Sequence, residues 1–386
     1  MNGETGIDWL FLILASFSVF ATFLHVLSIG TVWLVIRRDR RGYLESPTPP
    51  VTIVRPIFER DCFLQETLES TFKLSYPHFE IILCAARGDD PAVITAQQLM
   101  SKYPTVDARL LIGDQRISQN PKLNNCVKGW ENARHDFIVF VDCNVLLPPD
   151  YLQQMLANWG SNTGLVSSPP IGTAPASFWA DVECAFLNTY QGRWQLFASE
   201  INLGFAHGKN LMVRKTMLSQ AGGISALTSE PAEDAAVTKL VRRAGMRVTL
   251  NRRLFAQPLG SRSAREVWDR QVRWARLRRA SFPFAFLPEI LAGSFLPLCS
   301  SSAAAVLGGF DVGPIFAAHA LFWFGLEIAL AQRASWHLSL STPVSMLVRD
   351  LSIPALWFAA MASNAFEWRG HQMKTDPKLA HADEGD

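Results

Sequence analysis

Three acidic clusters and one arginine-rich element hold the residues of this chain best suited to chemistry. Asp89 and Asp90 follow the apolar run 79–86, Asp142 closes the apolar run 137–141 and is followed by Cys143 and Asn144, and Glu230, Glu233 and Asp234 precede an amphipathic stretch, 235–244. A carboxylate that ends a buried strand is costly if dry and unpaired, so Asp142 is expected to meet a cation or solvent at a sheet's rim. Asn144 adds a neutral oxygen, and the pair suits a hard divalent ion such as Mg²⁺ or Mn²⁺ whose shell phosphate oxygens complete. Asp89 and Asp90 read equally well as turn or N-cap residues. Glu233 and Asp234 suit a helix N-terminus and its dipole, either as caps or as a base aimed at a pocket. Between Val241 and Arg279 stand twelve Arg, no Lys and two acids, Glu266 and Asp269. Attraction to anionic headgroups accounts for several of these arginines. It does not account for Arg270, Arg273 and Trp274 standing together, whereas guanidinium forks at i and i+3 grip a diphosphate bidentately.

The elements that must position these groups read as alternating α and β. Runs 51–54, 79–86, 108–112 and 137–141 have strand length and are continuously apolar, the first ended by Arg55-Pro56, and helical patterns at 91–100 and 123–133 lie between them. Continuous rather than alternating apolar strands predict a largely parallel sheet covered on both faces. In such sheets ligands bind beyond the carboxyl ends of the strands, where Asp90 and Asp142 fall.

Around this region the chain is built for lipid. It is 49% hydrophobic and 18% charged, with 36 Lys and Arg against 34 Asp and Glu, so no overall basic field exists to hold a nucleic acid. From Trp9 to Ile36 run 28 uncharged residues, longer as a helix than the ~30 Å hydrocarbon core. Glu4 and Asp8 precede it where a cleaved leader has a basic region, so it reads as an anchor. Arg37, Arg38, Arg40 and Arg41 then put the following region in the cytoplasm, with Trp9 and Trp33 at the interfaces. Three apolar stretches, 284–310, 312–331 and 351–366, come near the other end; the last is short, follows Arg349-Asp350 and reads as a candidate re-entrant segment. Glu289 and Glu327 inside them either face other helices or reach the headgroups. Within 264–275, Ala264, Val267, Trp268, Val272 and Ala275 recur at helical spacing, as in a helix lying on the membrane surface. The six cysteines, Cys62, Cys84, Cys126, Cys143, Cys184 and Cys299, form no C-x-x-C pair and read as reduced thiols.

In order, Asp90, Asp142, Asp234 and Arg270-Gln271-Val272-Arg273-Trp274 match the D, D, D, (Q/R)xxRW pattern of inverting GT-A glycosyltransferases. Asp89-Asp90-Pro91-Ala92, the segment 102–110, Asn120-Pro121-Lys122-Leu123-Asn124-Asn125, Gln220-Ala221-Gly222-Gly223 and Glu233-Asp234 make the chain resemble ceramide glucosyltransferases and related bacterial lipid glycosyltransferases over roughly 51–279 and the anchor. The resemblance implies a GT-A domain with a mostly parallel, Rossmann-like sheet. It also implies donor contacts at Asp89, Asp90, Asp142, Lys122 and Asn125, with a Mg²⁺ or Mn²⁺ ion on Asp142 and Asn144. Asp234 is the implied general base, and Arg270, Arg273, Trp274 and Gln191 serve the departing diphosphate and the acceptor entrance. Animal ceramide glucosyltransferases carry His where Gln191 stands, and Asp142-Cys143-Asn144 lacks a second carboxylate. His207, in Gly204-Phe205-Ala206-His207-Gly208-Lys209-Asn210, fails as a phosphate-binding loop because only three residues separate the glycines and Asn210 replaces Ser or Thr. It reads as part of a loop lining the sugar or acceptor pocket, or as a glycine-rich turn.

The expected layout is an anchor (1–45), a GT-A catalytic domain (46–261), an arginine-rich interface helix (262–282), about three membrane helices (283–368) and a polar tail (369–386) at a bacterial inner membrane. The expected activity moves a sugar from a UDP-sugar to the hydroxyl of a membrane lipid, ceramide or diacylglycerol, giving a β-glycolipid. A hopanoid acceptor remains open, as do the sugar and the side of the C-terminus. A polysaccharide synthase shares the Q/R-x-x-R-W element but needs more helices for a channel, and a transporter or structural protein would not need the acids and arginine pair together.

Overall fold

A computed structural model of the chain describes residues 2–38, 48–58, 63–368 and 371–374. Cys62, Arg40, Arg41, the first part of the linker and most of the polar tail lie outside the described residues, as does the side chain of Arg38. The chain divides into two compact units: residues 38–174, 198–260 and 365–386 form one, and residues 1–37, 175–197 and 261–364 the other. Residues 175–197, inside the stretch expected to be one catalytic domain, thus belong with the apolar helices.

The strands are β1 (Val51–Ile57), β2 (Phe79–Ala85), β3 (Ala108–Ile112), β4 (Phe137–Val141), β5 (Thr163–Ser167), β6 (Pro170–Pro175), β7 (Asn210–Arg214), β8 (Arg247–Leu250) and β9 (Phe255–Gly260). The helices are α1 (Asn2–Arg38), α2 (Leu64–Phe72), α3 (Pro91–Lys102), α4 (Pro121–Asn132), α5 (Tyr151–Ala157), α6 (Phe178–Ala185), α7 (Arg193–Glu200), α8 (Lys215–Gln220), α9 (Glu233–Arg243), α10 (Ala264–Ser281), α11 (Pro283–Phe286), α12 (Phe295–Leu307), α13 (Val312–Ala334) and α14 (Thr342–Ala362).

In the α/β unit, seven strands form one sheet in the order β3-β2-β1-β4-β7-β5-β8, while β6 and β9 pair separately. The four strands expected from the sequence are mutually parallel, and β7 enters antiparallel between β4 and β5. The expected mostly parallel α/β fold is therefore observed. β1 does not stop at Arg55-Pro56 but continues to Ile57 with all seven residues buried. The charge is tolerated because the two terminal nitrogens of Arg55 donate to carbonyls, Thr67 O at 2.8 Å, Asp142 O at 2.7 Å and Val145 O at 2.9 Å. Helices α3 and α4 each start with Pro in the first turn behind a side-chain cap, Asp90 and Asn120. Gly129 lets α4 sit flat on the sheet, since a Cβ there would stand 2.4 Å from Val54 Cγ1 and 2.9 Å from Cys84 Sγ.

In the helical unit, the segments Trp9–Arg37, Val312–Ala334 and Thr342–Ala362 are long and apolar enough to cross a membrane, as the composition predicts for a membrane protein. The stretch 284–310 is not one straight helix: Pro283–Leu291 and Phe295–Leu307 meet at a 43° bend. Ser294, at the break, donates its N–H to Asp350 Oδ2 at 2.9 Å. The last span is also longer than expected, because Arg349 and Asp350 lie inside α14 and are buried. Arg349 donates to Glu327 Oε2 (2.8 Å), Asp350 Oδ1 (2.7 Å) and Thr189 Oγ1 (2.7 Å), and Arg193 lies 3.5 Å from Glu327 Oε1. Glu327 thus faces other helices, and Glu289 takes a two-pronged bond from Arg278 at 2.6 and 2.8 Å.

Candidate active site

Strand topology brings the predicted acids of the α/β unit to one edge. β2 and β4 run parallel with only β1 between them, about 10 Å apart, so the turns that carry Asp90 and Asp142 follow the same, carboxyl, end of the sheet. Asp90 caps α3, accepting the Ala92 N–H at 2.9 Å, and Asp89 is exposed in an ion pair with Arg87. The turn after β4 is clamped from behind. Arg55 holds the Asp142 and Val145 carbonyls, and Thr67 Oγ1 donates to Cys143 O at 2.6 Å. The cysteine in this turn is buried, which leaves Asp142 and Asn144 as the polar side chains the turn presents.

The antiparallel register of β7 on β4 pairs Val141 with Asn210, and the next bond, from Asp142 N to Lys209 O, is 3.1 Å. Lys209 therefore lies across from Asp142, and its Nζ is 2.7 Å from Asp142 Oδ2 and 3.0 Å from Asn144 Oδ1. Lys122, from the first turn of α4, reaches the same cluster: its Nζ is 2.7 Å from Asp142 Oδ1 and 2.6 Å from Glu233 Oε1, and it donates to Gly208 O. Asn120 Nδ2 donates to the other Glu233 oxygen at 2.7 Å. Asp234, beside it in the first turn of α9, accepts from the N–H groups of Gly208 at 2.7 Å and of its own neighbour Ala235 at 2.8 Å.

These surroundings separate the carboxylates electrostatically. Burial alone would raise the pKa of Asp142, but the ammonium groups of Lys122 and Lys209 outweigh it and hold the carboxyl well below its usual range. Burial would likewise favour neutral Lys122, yet Asp142 and Glu233 keep it firmly charged. Asp234 behaves oppositely. Burial, then the negative charge of Glu233, push it up to about 7, against the smaller pull of Lys122 and the two N–H groups. A partly buried carboxyl poised near neutrality is suited to act as a base at neutral pH.

The donor set of Asp142 and Asn144 fits a hard divalent ion, since both already present oxygens to one cation, the Lys209 ammonium. One carboxylate and one amide leave most of a coordination shell to other oxygens, and among the described residues no group of three or more His, Cys, Asp or Glu is placed to hold a metal. The other predicted residues are placed as follows. Asn125 is buried behind the site, donating to Cys84 O at 2.6 Å and accepting from Lys128. The His207 N–H donates to Ser167 Oγ at 2.9 Å, fixing the turn whose next residue, Gly208, borders the acids. Gln191, Arg270, Arg273 and Trp274 belong to the helical unit. There Gln191 Nε2 donates to Gln271 Oε1 at 2.7 Å, Arg270 pairs with the buried Glu183, and Arg273 and Trp274 are half-buried on α10. Gln191 also lines a crevice with Tyr190, Gln271, Arg278, Glu289 and Trp357.

Sequence reasoning missed Lys209, Gly208, Asn120 and Arg55 as parts of the site. The glycine-rich segment at 204–210 was the one available signal for the first two, while Arg55 looked like a strand terminator.

The description Glycosyl transferase family 21 matches residues 13–380. Ceramide glucosyltransferase 3 of Caenorhabditis elegans is 28% identical over 379 residues, covering 96% of this chain and 82% of that protein. Ceramide glucosyltransferase 1 of the same organism is 25% identical, over 96% of this chain and 83% of its own length. Among solved structures, a mannosyltransferase from Pyrobaculum calidifontis in complex with GDP-Man and Mn²⁺ is similar at 18% identity with a TM-score of 0.48, covering 88% of this chain and 99% of that one.

Proposed function

The chain belongs to glycosyl transferase family 21 and is a membrane-bound lipid glycosyltransferase, and from that premise we propose that it moves a hexose from a UDP-sugar to the primary hydroxyl of ceramide or a similar two-chain lipid, inverting the anomeric centre. The observation that carries the mechanism is Asp234, a partly buried carboxyl that accepts the Gly208 N–H at 2.7 Å and that burial and the neighbouring Glu233 raise to about 7. A lipid hydroxyl is far too weak an acid to ionise at neutral pH, so attack on the anomeric carbon needs a base as the new bond forms, worth ~10² to 10⁴-fold. Asp234 accepts that proton in a single displacement, so an α-linked donor yields a β-glycoside.

Asp142 and Asn144 are the residues proposed to hold a Mg²⁺ or Mn²⁺ ion, which when bound would neutralise charge on the donor's diphosphate. Lys122 keeps a fixed positive charge at the same place, and Asp90 is proposed to take the uridine. Arg270, Arg273 and Trp274 are assigned to the departing diphosphate and the acceptor entrance by their match to the (Q/R)xxRW element. The arginines after the anchor support a catalytic unit on the cytoplasmic side of a bacterial inner membrane.

Membranes from a host expressing the chain, supplied with each radiolabelled UDP-sugar and with ceramide or diacylglycerol, give the test. A β-hexosylceramide identified by mass spectrometry, lost in Asp234→Asn while UDP affinity is kept, is the expected result. Loss of UDP binding in that variant would refute the role of Asp234 as base, and transfer to neither lipid would refute the acceptor class.

A further inference from the structure

The expected metal ligands of this site are already bridged by a cation the chain supplies itself. Lys209 Nζ lies between Asp142 Oδ2 (2.7 Å) and Asn144 Oδ1 (3.0 Å), while Lys122 occupies the second oxygen of Asp142 at 2.7 Å. Asp142, Glu233 and Asp234 bring at most three negative charges, and the two ammonium groups already offset two of them. A divalent ion entering with both lysines in place would meet excess positive charge at contact distance, and Asp142 would have no unengaged oxygen to offer.

We propose that Lys209 is an internal counter-ion that excludes free metal from the donor site, so that a divalent ion enters only together with a nucleotide diphosphate and displaces the Lys209 ammonium from Asp142 and Asn144. This rests on the reading above that the donor is a metal-bound nucleotide sugar. The displacement needs no backbone motion. Lys209 O accepts the Asp142 N–H at 3.1 Å within the β4–β7 register, so the main chain is held while the four-carbon stem rotates. The released ammonium then has the incoming diphosphate oxygens as partners, and their charge replaces the carboxylate it leaves. The device couples metal to donor: without nucleotide the acids stay neutralised by lysine, and the site does not fill with a bare cation.

The test is Mn²⁺ affinity, read by electron paramagnetic resonance of free Mn²⁺ with the purified full chain in detergent, with and without UDP. In the wild-type chain, Mn²⁺ binds weakly alone and at least about tenfold more tightly when UDP is present. Lys209→Met binds Mn²⁺ alone at least about tenfold more tightly than the wild type, and UDP adds less. Lys209→Arg, which keeps the charge and the ion pair, stays at or below the wild-type affinity and guards against a Met variant that misfolds. Equal or weaker Mn²⁺ affinity in a folded Lys209→Met, or a gain in Lys209→Arg, overturns the inference. Failure of the wild-type chain to bind Mn²⁺ even with UDP would instead overturn the metal-bound donor itself.

Discussion

Glu233, not the adjacent Asp234, receives the Lys122 ammonium, at 2.6 Å. Two consecutive carboxylates at the start of α9 are thereby given different tasks. Lys122 and Asn120 hold the first, while burial and the charge of Glu233 raise the second toward neutrality. Consequences for activity and stability follow from this and from three other arrangements.

As the proposed base, Asp234 can act only when ionised, so transfer should rise with pH through about 7 and level off above it. Its folded pKa lies above the ordinary aspartate value of 3.8, so the folded state holds the proton more tightly. The stability this lends is fully present below about 4 and lost as pH climbs through about 7. Asp234→Asn should therefore cut kcat by ~10² to 10⁴-fold, abolish the pH rise, and raise the thermal midpoint at alkaline pH. Initial rates and unfolding scans across neutral pH check both, and a variant that unfolds at lower temperature at pH above 7 would contradict the assignment.

Gly208 carries the carbonyl bonded by Lys122 and the N–H bonded by Asp234. A Cβ there would stand 2.9 Å from Glu233 Oε1 and 3.3 Å from Asp234 Oδ2. Gly208→Ala should push the acids apart and lower kcat by ~10 to 10²-fold, with a smaller effect on donor KM. Steady-state kinetics at saturating donor decide this.

Arg55→Met should loosen the turn that presents Asp142 and Asn144, since it strips a buried donor from the Thr67, Asp142 and Val145 carbonyls. A loss of about 3 kcal/mol is expected from buried acceptors left unmade. Thermal unfolding of the solubilised chain measures it, and donor KM should rise in the same variant.

Within the helical unit, Arg349→Met leaves Glu327 without its closest cation and Asp350 without its neighbour. Breaking a buried pair from one side costs ~3–5 kcal/mol. A double-mutant cycle with Glu327→Gln, followed by unfolding in detergent, should return a coupling of at least about 1 kcal/mol.

The strands β1 to β4, the helices α3, α4 and α10, and the apolar segments were legible because each is written locally, in continuous β-branched runs, helical spacing or sheer length without charge. β7 was not foreseen, and with it went Lys209. What makes that lysine part of the site is an antiparallel register with a strand some seventy residues earlier, which no local pattern records. The polar residues Arg349 and Asp350 were misread as a boundary for the converse reason. A charge looks like the end of a span until the partner on another helix is known, and here Glu327, Thr189 and Ser294 supply it.

By itself the sequence determined that this chain has helices fit to enter a membrane and that an α/β region carries acids at strand ends, and it marked Asp142 and Asp234 as the candidates for chemistry. Periodicity, charge-free length and motif order are properties of the chain read in one dimension. Only the tertiary structure decided which acid is neutralised and which is left near neutrality. Those states depend on distances of a few ångströms between groups from α4, α9 and the β4–β7 edge, and on the removal of water from among them.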